Sequence, residues 1–142
     1  MALVRSRAVV PPAPVLAALE RLFGPAVRDV EVIERSLFAR LHLGAIATTR
    51  RRRIYLRGSA ADFFACPELV LHEYCHVVRQ WEPGSLTAWR YVVECCRRGY
   101  WANRFEVEAR EFAAAHLGPF AALLGAPERV ADHAHESPNG DP

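Results

Sequence analysis

Residues 69–78 read Leu-Val-Leu-His-Glu-Tyr-Cys-His-Val-Val, a run too apolar for a protein surface that nevertheless carries two histidines and a glutamate. Pro67 and Glu68 suit a first helical turn, the apolar pattern continues to Trp81, and Pro83-Gly84 stops it. The spacing therefore predicts a helix over 67–81, apolar nearly all round and so buried. Ionisable groups inside such a helix need partners, because burying them unpaired is costly. His72 and His76 stand four apart, which sets both rings on one face, one turn above the other. Two imidazoles so arranged can share one divalent cation, and Glu73 beside them can reach a water without binding the metal. This is the H-E-x-x-H pattern of zinc sites, in which the glutamate serves as general base. The structural alternative is a pair of self-satisfied core histidines beside a buried glutamate.

A catalytic zinc held by two histidines needs a third protein donor and one open position. Downstream, Asn103 to Ala113 reads Asn-Arg-Phe-Glu-Val-Glu-Ala-Arg-Glu-Phe-Ala and supplies Glu106 and Glu108 at the start of a helix. Two residues apart on a helix they point in different directions, so only one is expected to reach the metal. Glu106 has a rival task. With Asn103 as cap it occupies the third helical position, where a capping-box glutamate folds back onto the backbone. The residues alone leave these two roles even.

Around this core the chain alternates between two periodicities. Val15, Leu16, Leu19, Leu22 and Phe23 recur at helical spacing from Pro14, and Gly24-Pro25 ends them. Residues 29–33 alternate as a strand, and 36–43 are ambiguous between strand and helix. Residues 45–49 and 52–57 predict two strands joined by a basic turn, with Ile54 and Leu56 facing inward and Arg53, Tyr55 and Arg57 outward. Ser85 can cap a helix closed by Gly99, and Asn103 one closed near Gly118. The expected fold is α+β: a small antiparallel sheet of about three strands followed by three main helices. At 142 residues this is one domain over 1–125, with 1–11 a flexible lead and the polar 126–142 a disordered tail.

Charge narrows the partners. A net charge of +2 gives no push toward nucleic acid or an anionic membrane, so neither is expected as a partner. Arg50 to Arg53 read as an exposed turn. Cys66, Cys75, Cys95 and Cys96 include no C-x-x-C pair, which points to reduced thiols and a cytoplasmic setting. The apolar stretch after Arg5 and Arg7 is broken by Pro11, Pro12 and Pro14 and does not read as a signal peptide.

Three segments together resemble the gluzincin class of zinc metallopeptidases. These are a leading hairpin ending in Ile54-Tyr55-Leu56, then Leu71-His72-Glu73-Tyr74-Cys75-His76-Val77, then Asn103 through Ala113. More narrowly, the chain is similar to very short minigluzincin-like domains of bacteria, including the core domain of extracellular contractile injection systems, over about residues 28–117. The resemblance implies a zincin-like fold and a Zn2+ held by His72, His76 and Glu106, the last chosen because the class places its ligand glutamate three residues before a small one, here Ala109. It also implies Glu73 as general base, a peptide or protein substrate, and edge pairing of that substrate near Ile54–Arg57. Glu108 would then stand behind the metal donors or at the surface. Such sites need a donor to the developing oxyanion, for which Tyr100 and, less simply, Tyr91 are available. His42 and His116 fit packing or surface roles, and His133 and His135 belong to the polar tail. Two departures stand out. Many such domains carry glutamine three residues after the second histidine, where this chain has Arg79 and then Gln80. The large cleft-forming domain of full-size gluzincins is also missing, which leaves room for a protein partner that completes the cleft, or for a zinc-stabilised accessory module with little turnover.

Overall fold

The computed structural model describes residues 6–41 and 47–125. In chain order these form β1 (Arg7–Val9), α1 (Ala13–Phe23), a 3-10 turn (Pro25–Asp29), β2 (Glu31–Glu34) and α2 (Leu37–Leu41). The hairpin β3 (Ala47–Arg50) and β4 (Arg53–Leu56) comes next, then α3 (Ala60–Phe64) and α4 (Pro67–Tyr74). The helix of α4 continues as a π-helical stretch over Cys75–Trp81, and α5 (Ala88–Ala102) and α6 (Arg104–Gly125) complete the described chain.

The fold is α+β, but the sheet corrects the expectation in two respects. It has four strands in the order β1-β2-β4-β3, and it is mixed rather than antiparallel. β1 pairs antiparallel with β2, β2 pairs parallel with β4, and β4 pairs antiparallel with β3. The extra strand comes from residues 7–9 of the expected flexible lead, where Arg7 lies opposite Glu34 and bonds its carboxylate at 2.9 Å. Parallel pairing of β2 with β4 follows from the connection between them, which crosses α2 and β3 and so returns the chain in the same direction. Because β4 lies between β2 and β3, the segment near Ile54 has no free edge. Among the described residues, the open edge beside the hairpin is β3.

Six helices are present among the described residues, rather than three main ones. The ambiguous 36–43 segment is helical where it is described, as α2. Ser59 starts the unexpected α3 by accepting from the Asp62 N–H at 3.1 Å, a normal cap. Thr87, not Ser85, caps α5, while the Ser85 hydroxyl turns back to the Gln80 carbonyl. α6 runs on through Gly118 and Pro119 to Gly125, its far end held by the fully buried Phe120. The expected tail 126–142, with His133 and His135, lies outside the described residues, as does His42.

One core joins the layers. Val32, Ile54 and Leu56 line the inner face of the sheet, as their alternation predicts, and meet Leu19 of α1, Phe63 of α3, Val70, Leu71 and Tyr74 of α4, and Phe120 of α6. Val70, Leu71, Tyr74 and Cys75 are all fully buried, so the predicted buried helix is buried. The basic hairpin is external, as expected: Arg52 bonds Glu82 at 3.0 Å, Arg53 bonds Glu31 at 3.0 Å, and Arg50 lies over the rings of Phe38 and Trp81. Trp81 in turn donates to the Thr49 hydroxyl of β3 at 3.2 Å, which fixes the hairpin against the end of the π-helical stretch. All four cysteines are free thiols. No helix among the described residues is long and apolar enough to cross a membrane.

Candidate metal centre

The helix from Pro67 to Trp81 delivers His72 and His76 to the side that α6 crosses. Their rings lie 4.7 Å apart between centroids and nearly perpendicular, with an interplanar angle of 81°. Each presents Nε2, and the two nitrogens are 3.1 Å apart. Glu106, on the first turn of α6, reaches the same point: Oε2 is 3.1 Å from His72 Nε2, and Oε1 is 3.5 Å from His76 Nε2. Donor atoms bound at about 2 Å to one tetrahedral ion lie roughly 3.3 Å from one another. The three separations found here bracket that value, so His72, His76 and Glu106 form a group able to hold a metal ion.

The local folding of α6 explains why Glu106 is free to do this. The Asn103 side chain accepts from the Phe105 N–H at 3.0 Å and so caps the helix. A capping-box glutamate would serve the Asn103 N–H, but that group already donates to the Tyr100 carbonyl. The rival task is taken, and the Glu106 carboxylate turns inward. Glu108 does not join the donor group; it accepts from Gln80 instead, at 3.1 Å.

Electrostatics bind these groups together. Burial pushes the Glu106 carboxyl upward, yet hydrogen bonds from His72 and His76 outweigh it and hold the group well below the usual carboxylate range. Burial disfavours a charged His76, but its contact with Glu106 and the field of Glu73 leave it above the ordinary histidine value. Glu73 is buried beside them, and burial raises its carboxyl against the pull of His76 and His72. No described side chain or backbone group hydrogen-bonds it.

α5 forms the outer wall. The Tyr91 hydroxyl donates to Glu106 Oε1 at 2.8 Å, so the phenol is engaged in holding a donor. Tyr100 is half exposed, its hydroxyl pushed up to about 12 by burial and then by the neighbouring Glu106 carboxylate. It remains protonated at neutral pH and can donate. His116 is remote in function: its Nδ1 donates to the Phe112 carbonyl at 2.8 Å and its ring stacks on Phe112.

In the sequence Gln80 reads only as an offset glutamine. It is fully buried and contacts His76 Nδ1 at 2.7 Å. A polar amide inside an apolar helix, one turn beyond a ligand histidine, is the signal that could have found it. Comparison of the chain with protein-family models, with curated proteins and with solved structures gives no match.

Proposed function

We propose that this chain is a small zinc-dependent hydrolase, a zincin-like metallopeptidase of the gluzincin type. The observation that carries the proposal is the convergence of two imidazole nitrogens and a carboxylate at 3.1–3.5 Å. A set of two nitrogen donors and one oxygen suits zinc and leaves a fourth position open. When bound, zinc supplies Lewis acidity, polarising a peptide carbonyl and acidifying a water. The protein's own groups do the rest. His72, His76 and Glu106 hold the ion. Glu73 takes the proton of the attacking water on a carboxylate oxygen and passes it to the leaving nitrogen. The Tyr100 hydroxyl, half exposed beside Glu106, offers a hydrogen bond to the carbonyl oxygen as charge develops there. An extended peptide can pair with the open edge of β3, which runs beside the end of the site helix. The setting we propose is cytoplasmic.

A second reading has an observation in its favour. Two surface concavities, of about 460 and 340 Å³, are lined by the basic hairpin and by the outer face of α5, and neither includes His72, His76 or Glu106. This suits a zinc-stabilised accessory module, or a peptidase whose cleft is completed by a partner.

Metal analysis of the purified protein tests the reading. One equivalent of zinc is expected in the wild type and in Glu73→Gln, and none in His72→Ala or Glu106→Ala. Peptide hydrolysis by Glu73→Gln should fall by about 10²–10⁴-fold. Retention of zinc by Glu106→Ala defeats the donor assignment, and full function in Glu73→Gln favours the accessory module.

A further inference from the structure

Gln80 carries more hydrogen bonds than any packing role requires. Its side-chain nitrogen lies 3.0 Å from the Phe105 carbonyl oxygen and 3.1 Å from Glu108 Oε2, and its side-chain oxygen lies 2.7 Å from His76 Nδ1. The orientation of the amide follows from its partners. A carbonyl and a carboxylate only accept, so the NH2 must face them. The amide oxygen then faces the ring, and an acceptor at that distance requires a proton on His76 Nδ1. In the neutral ring Nε2 is therefore bare, and Nε2 is the atom turned toward His72 and Glu106.

We infer that Gln80 is a positioning residue that locks His76 in its Nδ1–H form and aims its Nε2 lone pair at the metal, with Glu108 and the Phe105 carbonyl holding the amide in place. The inference rests on the metal reading of the site. Ligand histidines are ordinarily steadied through the other ring nitrogen, and loss of that support weakens metal binding. Here a neutral amide does the work, itself steadied by a carboxylate two residues beyond Glu106. A single short stretch of α6 thus supplies both a donor to the ion and the brace behind another donor.

Gln80 lies in the π-helical stretch, four positions beyond His76. The backbone end of the stretch is pinned too: the Gln80 carbonyl accepts from the Leu86 N–H at 2.9 Å and from the Ser85 hydroxyl at 3.1 Å.

The test uses the full chain. Zinc affinity, read by competition with a chromophoric chelator, should fall about 10–100-fold in Gln80→Leu and by less in Glu108→Ala. Circular dichroism separates this from misfolding. On the zinc-loaded wild type, long-range proton–nitrogen NMR should report His76 protonated at Nδ1 and bound through Nε2, a signature that needs no variant and that a purely structural glutamine does not set. In Gln80→Leu the Nδ1 proton should lose its protection from exchange. A wild type that binds no zinc overturns the metal reading and this inference together. Zinc binding in Gln80→Leu within twofold of wild type, or a His76 bound through Nδ1, overturns this inference alone and leaves the metal reading standing.

Discussion

The two helical walls of the centre differ in how they are held. The helix from Pro67 to Trp81 is buried on almost every side, with Val70, Leu71, Tyr74, Cys75 and Val77 at 0–1 % exposure. In α5 only Glu94 is buried, while Trp89 and Val92 are exposed, as is Tyr100 beyond the bend. The first helix is fixed by the core; the second is attached through a few polar links, Tyr91 to Glu106 and Asn103 to Cys95 among them. His72 and His76 sit on the buried wall. Groups on the outer wall touch the site from an element whose other face meets solvent. The contrast separates what holds a candidate metal centre rigid from what shapes access to it.

Substitutions can break or sharpen that contrast. The largest effect is expected at Leu71, fully buried one residue before His72: Leu71→Ala should cost about 2–5 kcal/mol of stability in denaturant unfolding and weaken zinc binding with it. Tyr91→Phe should leave the fold intact but lower zinc affinity by about tenfold, through loss of the donated bond to Glu106. An unchanged affinity would mean that the outer wall contributes nothing to the donors. Smaller still is an effect confined to acid. Glu34 accepts from the Ala60 N–H at 2.9 Å, tying β2 to the start of α3 just before the site helix. That bond, with Arg7 adding, holds its carboxyl below the ordinary 4.5 despite burial. The folded-state value is the lower one, so ionised Glu34 favours folding. Its contribution is complete above the ordinary value and is lost as pH falls through the folded one. Thermal melts from pH 6 downward should therefore show a shallower acid loss in Glu34→Gln than in wild type. Least of all, Trp89→Ala on the open face of α5 should change stability by less than about 0.5 kcal/mol, and a larger loss would show that this face is seated against something.

How much was legible in the sequence follows the same division. His72 and His76 stand four apart with Glu73 beside them, so local spacing alone put the two rings on one face of a buried helix. Glu106 was harder, since capping and ligation both fit its position; what separates them is the Tyr100 carbonyl occupying the Asn103 N–H, a contact that no spacing reveals. Val32, Ile54 and Leu56 were legible through alternation. β1 was not, because three residues before a run of prolines become a strand only by pairing with β2. The parallel pairing of β2 and β4 joins residues more than twenty positions apart and leaves no local trace. The turn between β3 and β4 also lacks the usual signal: Arg52 takes φ 59°, a left-handed conformation normally left to glycine or asparagine. Gln80 escaped because the groups that hold its amide, the Phe105 carbonyl and Glu108, come from α6, and spacing along the site helix does not reveal them.

One consequence follows from the bend at Gly99. With φ 75° and ψ 169° it departs from helical geometry, so the rotation of α6 is not inherited from α5 but begins afresh at Asn103. The azimuth of Glu106 is therefore counted from its own cap. An insertion of one residue between Asn103 and Glu106 turns the carboxylate through about 100° and away from both histidines. The centre is keyed to that three-residue interval.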